Sequence, residues 1–182
     1  MKTRSFTPFP ILTTERLTLR QLTTHDCQAI FALRSDAAIN KYLGRQPSKT
    51  IDEALHFITT MNEHIQQNNS MYSVITLTQT KEVVGTVCLY NFSTENNSCE
   101  VGYELMTKFQ GQGIMQEAVT AVIDFAFERL QVHHITAFTH NDNSNSTKLL
   151  EKLNFMPFTA TDEENPDFTT FTLTNSPNAI SC

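Results

Sequence analysis

Apolar and polar positions alternate with period two in RLTLRQL, Arg16 to Leu22, with Leu17 and Leu19 on one side. That spacing predicts a half-buried strand behind a flexible N-terminus. From Asp26 to Ser35 the period changes, and Ile30, Phe31 and Leu33 fall on one side of a helix. A second helix is announced by TIDE, Thr50 to Glu53, where Thr50 can accept from orphan backbone donors while Glu53 reaches back as in a capping box. Ala54, Leu55, Ile58, Met61 and Ile65 carry it to about Gln67. MYSVITLT, EVVGTVCLYNF and SCEVGYELM follow, rich in β-branched and aromatic residues and separated by polar turns, as successive antiparallel strands are. A long helix is expected from Gly113 to Leu130, buried along Ile114, Ala118, Val122, Phe125 and Ala126. HHITAFTH then reads as a strand, NSNSTKLLEKL as a helix and DFTTFTLT as a closing strand. A strand meander followed by alternating helices and strands predicts a mixed α/β sheet rather than a sandwich. Without a repeat or a linker, residues 1–182 read as one domain with a frayed tail over about 175–182.

Composition narrows the partners. Net charge is −6, and no stretch gathers Lys and Arg on one face, so nucleic acid is not an expected partner. No apolar run approaches the roughly 20 residues that span a bilayer, so no membrane is expected. Cys27, Cys88, Cys99 and Cys182 lack C-x-x-C spacing, which suggests free thiols in a reducing cytoplasm. Consecutive His133 and His134 diverge on a strand, and no metal site is expected.

Chemistry concentrates at FQGQGIMQEA. Gly111 and Gly113 are two of five glycines in the chain and stand between a strand ending near Met106 and a helix. Glycine permits positive φ and close backbone approach, so successive N–H groups there can converge on an anion such as a phosphate. The dinucleotide fingerprint fails because its third glycine would fall on Gln116, and no Gly-Lys-Ser/Thr follows for a P-loop. A plain turn and helix cap would use the same residues. In NDNSNSTKLLEKLNF, Asn143 and Ser146 open a second capped helix that ends at Asn154, a residue tolerant of the left-handed conformation.

These segments resemble the GNAT superfamily of acyl-CoA-dependent N-acyltransferases, in its ribosomal-protein N-terminal acetyltransferase-like (RimJ/RimL-type) branch. The resemblance runs from about Leu12 to Leu173, through TTERLTLRQLTTHD, INKYLG, TIDEALHFI, CEVGYEL, FQGQGIMQEA and NDNSNSTKLLEKLNF. The family signature Q/R-x-x-G-x-G/A lies on Gln110, Gly113 and Met115, with Met115 in place of a small residue and Asn154 in place of a glycine. It implies an α/β (mixed α+β) GNAT-like fold: a central, mostly antiparallel sheet of about six to seven strands, a splayed parallel pair and flanking helices. It also implies acetyl-CoA as donor, with Leu105 and Thr107 beside the pantetheine arm. The backbone of Gln110, Gly111, Gln112, Gly113, Ile114 and Met115 would hold the diphosphate, and Asn143 and Ser146 would contact the cofactor.

The implied reaction moves an acetyl group to a primary amine by direct transfer in a ternary complex. The amine must lose a proton, and a carboxylate is the usual acceptor. Glu100 and Glu104 are four apart on one strand and share a face. Glu104, next to Leu105, is preferred as base and Glu100 comes second; surface pairing is the ordinary alternative for both. The Leu105 N–H is the candidate oxyanion donor. Ser146 is a candidate acid, because Leu150 stands where many relatives have a tyrosine. Tyr103 points to the opposite face and reads as core or cofactor packing. The expected acceptor is a protein or peptide N-terminal amine, bound by Asp36 to Gln67 and by the last two strands with their loop; His140 is a further candidate substrate contact. A polyamine or aminoglycoside acetyltransferase, or a CoA-binding sensor of the same fold, are the other readings. A homodimer is compatible with the fold.

Overall fold

The computed structural model describes residues 4–158 and 165–175. Among the described residues eight strands form one sheet: β1 (Leu12–Thr13), β2 (Leu17–Gln21), β3 (Met71–Leu77), β4 (Val83–Ser93), β5 (Ser98–Leu105), β6 (His134–His140), β7 (Met156–Pro157) and β8 (Phe168–Thr174). Their order is β1-β2-β3-β4-β5-β6-β8-β7, and of these neighbours only β5 and β6 run parallel. The sheet exceeds the expected six to seven strands because β1 and β7 are two-residue ladders, too short to show alternation. The helices are α1 (Cys27–Ser35), α2 (Ala37–Asn40), α3 (Ile51–Gln66), α4 (Ile114–Phe125) and α5 (Ser144–Lys152).

Each face of the sheet has its own cover. On one, α3 sets the Phe57 ring edge-on to Tyr72 of β3 at 5.4 Å, and α1 packs on α3. On the other, α4 lies against β2, β4 and β5 and buries Ile114, Met115, Ala118, Val119 and Val122. The long helix expected over Gly113 to Leu130 is a composite, in which a π-helical turn over Ala126–Leu130 continues α4. The α3 cap also differs in detail. Thr50 Oγ1 accepts from the Glu53 N–H at 3.2 Å, but Glu53 reaches one residue further back, to the Lys49 N–H at 2.7 Å. Asn154 adopts φ 63°, the left-handed stop expected of it. Residues 176–182, most of the expected frayed tail, lie outside the described residues, as does most of the loop between the last two strands.

The entry to α1 is locked by one carboxylate. Asp26 is 5% exposed and accepts from Arg20 Nη1 and Nη2 at 2.9 and 2.8 Å and from the Thr23 N–H at 2.8 Å. Burial pushes its pKa up, but the bonds from Arg20 and Thr23 outweigh burial and hold the group below the usual carboxylate range. A folded-state pKa below the unfolded one stabilises above about pH 3.9, and the gain is lost as pH falls through the folded value. Asp26→Asn should therefore cost about 2 kcal/mol at pH 7, below the full value for a broken buried pair because Arg20 is partly solvated. Urea titrations at pH 7 and pH 3 should show the gap between parent and variant closing in acid; a constant gap would locate the effect in packing.

Candidate active site

The site begins where two strands part. β5 and β6 pair only at Ser98↔His134, Cys99↔Ile135 and Glu100↔Thr136, yet they run on to Leu105 and His140. Their outer edges stay paired, β5 to β4 as far as Leu105 and β6 to β8 as far as His140. The wedge between them is thus lined by backbone groups of Val101–Leu105 and Ala137–His140 that no β5–β6 ladder uses. The Met106 N–H donates to the Val84 carbonyl at 2.9 Å. Alternation turns the Leu105 N–H the other way, into the wedge.

At the mouth of the wedge a turn over Thr107–Phe109 leads into the glycine loop. Gly111 and Gly113 both have φ 74°, a conformation that any Cβ strains. Gly113 is the N-cap of α4 and offers no side chain to its first turn, so those N–H groups stay available to an anion. Gln110 and Gln112 turn back on the loop itself, Nε2 donating to the Leu105 and Lys108 carbonyls at 3.1 and 3.0 Å. The Met115 side chain is buried in the core, so its bulk does not fill the cradle. Thr107 turns its hydroxyl toward Asp36 at 3.5 Å, on the α1–α3 side of the sheet.

A basic residue that the loop sequence does not reveal comes from the other end of the chain. Arg16 donates through Nε to Glu117 at 2.6 Å and through Nη1 to the Gln112 carbonyl at 3.0 Å. Its Nη2 lies 3.5 Å from the position a Cβ on Gly113 would take. Glu117 is held by Thr14 Oγ1 and the Arg16 N–H as well, so the guanidinium is pinned beside the cradle. Burial alone would raise the Glu117 pKa, but these bonds prevail and keep it ionised. Lys108, the basic residue nearest in sequence, is instead paired with Glu82 at 2.7 Å, and Lys148 is exposed.

The two faces of β5 carry different groups. Glu104 lies on the α1–α3 side, its oxygens accepting from Arg45 Nη1 and Nη2 at 2.5 and 2.7 Å, while Arg45 Nε donates to Asn40 at 2.7 Å. Glu100, on the same face, accepts from Asn91 Nδ2 at 3.1 Å. Tyr103 faces the other way and shares a hydrogen bond of 2.9 Å with Ser146 in the first turn of α5. Burial pushes the Tyr103 phenol up to about 12 against the opposing effect of that bond. Asn143 caps α5, its side-chain oxygen accepting from the Ser146 N–H at 3.2 Å. Leu150, in the position of the missing tyrosine, is fully buried. His140 stacks near Tyr42 at 5.6 Å and edge-on to Phe168 at 5.3 Å, joining the segment after α2 to the end of β6. Cys99 faces away from Glu100 into the core, its thiol pushed up to about 12 by burial, which leaves it inert as a nucleophile. Among the described residues no cluster of His, Cys, Asp and Glu could hold a metal.

A parted parallel pair, an anion cradle at the helix that follows it and a carboxylate-bearing strand define an acyl-CoA-dependent transferase. The sequence matches the family described as Acetyltransferase (GNAT) domain over residues 16–156, and the protein belongs to that family. It is 33% identical over 147 residues to the uncharacterised N-acetyltransferase YoaA of Bacillus subtilis, spanning 81% of this chain and 83% of that one. It is 29% identical over 160 residues to the ribosomal protein uS5-alanine N-acetyltransferase of Escherichia coli, spanning 84% and 81%. The structure of spermidine N-acetyltransferase from Vibrio cholerae with CoA and spermine superposes with a TM-score of 0.77 at 24% identity, covering 88% and 96%. The donor is acetyl-CoA, and the protein is an acetyl-CoA-dependent acyltransferase.

Two variants separate the parts of the cradle. Gly113→Asp forces a side chain into φ 74° and sets a carboxylate where the anion should lie, so acetyl-CoA affinity should fall at least about a hundredfold. Arg16→Gln should weaken binding about tenfold and flatten its dependence on salt. Calorimetric titration at two ionic strengths checks both, and an unchanged salt slope would show that Arg16 only braces Glu117.

Proposed function

We propose that the protein acetylates the N-terminal amine of a peptide or protein by direct transfer from acetyl-CoA, with residues 1–182 acting as one catalytic domain. The observation that carries this reading is the division of labour on β5: Glu104 on one face, the Leu105 N–H at the open edge and Tyr103 with Ser146 on the other. The relative named for ribosomal-protein alanine acetylation supports the acceptor class. The unpaired thiols of Cys27, Cys88 and Cys99 suit a cytoplasmic protein. In this reading Gly111 to Met115 and Arg16 hold the diphosphate, Leu105 and Asn143 border the pantetheine arm, and acetyl-CoA supplies the activated acyl group.

Arg45 pairs with Glu104 through both carboxylate oxygens, which accept from its one guanidinium. The acceptor's ammonium must therefore displace Arg45, after which Glu104, directly or through water, takes the proton that frees the attacking lone pair. The Leu105 N–H meets the charge that develops on the acyl oxygen. Tyr103 is not a proton source for the leaving thiolate, because a phenol near 12 is a weaker acid than a thiol of about 8.5. It and Ser146 stabilise the departing sulfur by hydrogen bonding.

Three variants read these roles out in a thiol-release assay with a peptide acceptor. Glu104→Gln should lower kcat at least about a hundredfold. Arg45→Ala, which uncovers the carboxylate, should lower KM for the amine. Tyr103→Phe should lower kcat about five- to tenfold, the value of one neutral hydrogen bond. Unchanged turnover in Glu104→Gln would transfer the base role to Glu100, and faster turnover of spermidine than of any peptide would replace the acceptor class.

A further inference from the structure

Arg34, near the C-terminal end of α1, has no carboxylate partner among the described residues. Its guanidinium lies over the Phe57 ring at 3.9 Å, and its Nε is buried without a hydrogen-bond partner. None of the ion pairs among the described residues includes it. Its backbone is committed, the carbonyl accepting from the Ser48 N–H at 2.8 Å and from Asn40 Nδ2 at 3.1 Å, so the residue is fixed while its side chain is spare. Burial lowers its pKa and the neighbouring Arg45 adds to that, against Glu104, yet a guanidinium stays charged. A partly desolvated cation without a counterion is destabilising, and a ligand that supplies the missing charge relieves that cost.

The same side chain lines a cavity of about 490 Å³ with Ser48, Lys49, Glu53, His56 and Phe57 among its walls. Among the described residues Glu53 is its one acidic member, and that carboxylate is engaged by the Lys49 N–H and lies in the first turn of α3, where negative charge is already favoured. Arg34 and Lys49 therefore give this wall a positive surplus in a molecule whose net charge is −6. Asn40 joins Arg34 to the Glu104 pair, its Nδ2 donating to the Arg34 carbonyl at 3.1 Å and its Oδ1 accepting from Arg45 Nε at 2.7 Å, so two guanidiniums and one carboxylate share this side of the sheet. An acceptor that brings only positive charge worsens that imbalance. One that brings an amine and a carboxylate together adds no net charge and gives Arg34 an anionic partner, with the amine at Glu104 and the carboxylate at Arg34.

We propose that this cavity is an acceptor subsite in which Arg34 binds the carboxylate of an Asp or Glu side chain near the N-terminus of the peptide to be acetylated. The proposal deepens the function above and rests on it. The test uses two peptides identical except for Glu or Gln at the second and third positions, with spermidine and free glutamate as further acceptors. Thiol release gives KM and kcat, and calorimetry on the CoA-saturated protein gives binding independently of transfer. The Glu peptide should show a KM and a dissociation constant at least about tenfold below those of the Gln peptide. In Arg34→Gln that ratio should collapse to about one with kcat for the Glu peptide little changed, and Arg34→Lys should restore part of it.

Equal KM and affinity for the two peptides in the parent protein would overturn the subsite, as would a preference that survives in Arg34→Gln or a better turnover of spermidine. Free glutamate matching the Glu peptide would overturn the peptide as the source of the carboxylate. Acetylation of both peptides without preference would leave the N-terminal acetyltransferase reading standing. Selective binding of the Glu peptide without any transfer would do the reverse, supporting the subsite and removing that reading.

Discussion

Strands β5 and β6 abandon each other after Glu100 and Thr136, and the rest of the molecule is arranged around that parting. β5 is held on its far edge by β4 and β6 by β8, so each strand keeps one long ladder while the edge facing the wedge is open. Backbone groups along that opening lie outside any β5–β6 ladder and can take partners from elsewhere. An extended amide-bearing arm could pair with them as a strand would. The α4 N-terminus follows the same opening, so amide pairing and anion binding would lie along one line.

Signals confined to a few residues were legible in the sequence. The β-branched and aromatic runs of β3, β4 and β5, the Thr50 cap, the Gly111 and Gly113 conformations and the Asn154 stop are local consequences of side-chain shape, and the structure has them where the sequence placed them. The two-residue ladders β1 and β7 and the single turn of α2 were not foreseen, because each spans only about one period and shows no repeat. The partnerships that make a site were not legible either. Arg16 meets Glu117 across 101 positions, Arg45 meets Glu104 across 59, and Tyr103 meets Ser146 across 43. Periodicity says which face a residue takes; only the packed topology says what it faces. Glu104 shows the difference: its face followed from strand alternation, whereas its guanidinium partner came from a loop with no pattern at all.

That partner changes what the carboxylate can do. A free glutamate on a half-buried face would be costly, and Arg45 removes the cost by pairing with both oxygens. In the mechanism proposed above, the same pairing sets a threshold for the acceptor, which must match the geometry of a guanidinium well enough to take its place. Arg45 is itself held by Asn40 at the end of α2, so displacement would draw on a short helix and its following loop rather than on the core. Selectivity for the amine would then be a competition between two cations for one carboxylate, decided by whatever else the acceptor can bind nearby.

The geometry of one strand accounts for why these parts can act at the same point. A β-strand presents three directions: one side-chain face, the opposite face and the edge that carries the backbone hydrogen bonds. In β5 consecutive residues use all three. Glu104 points to the α1–α3 side, Tyr103 to the α5 side and the Leu105 N–H to the open edge. In the mechanism proposed above, base, sulfur-side donor and oxyanion donor are therefore separated by direction and do not crowd one another. A continuous β5–β6 ladder would occupy the edge, and a helix in place of β5 would spread the same residues around a cylinder with no free backbone donor. The chemistry therefore depends on β5 remaining a strand that has lost one neighbour.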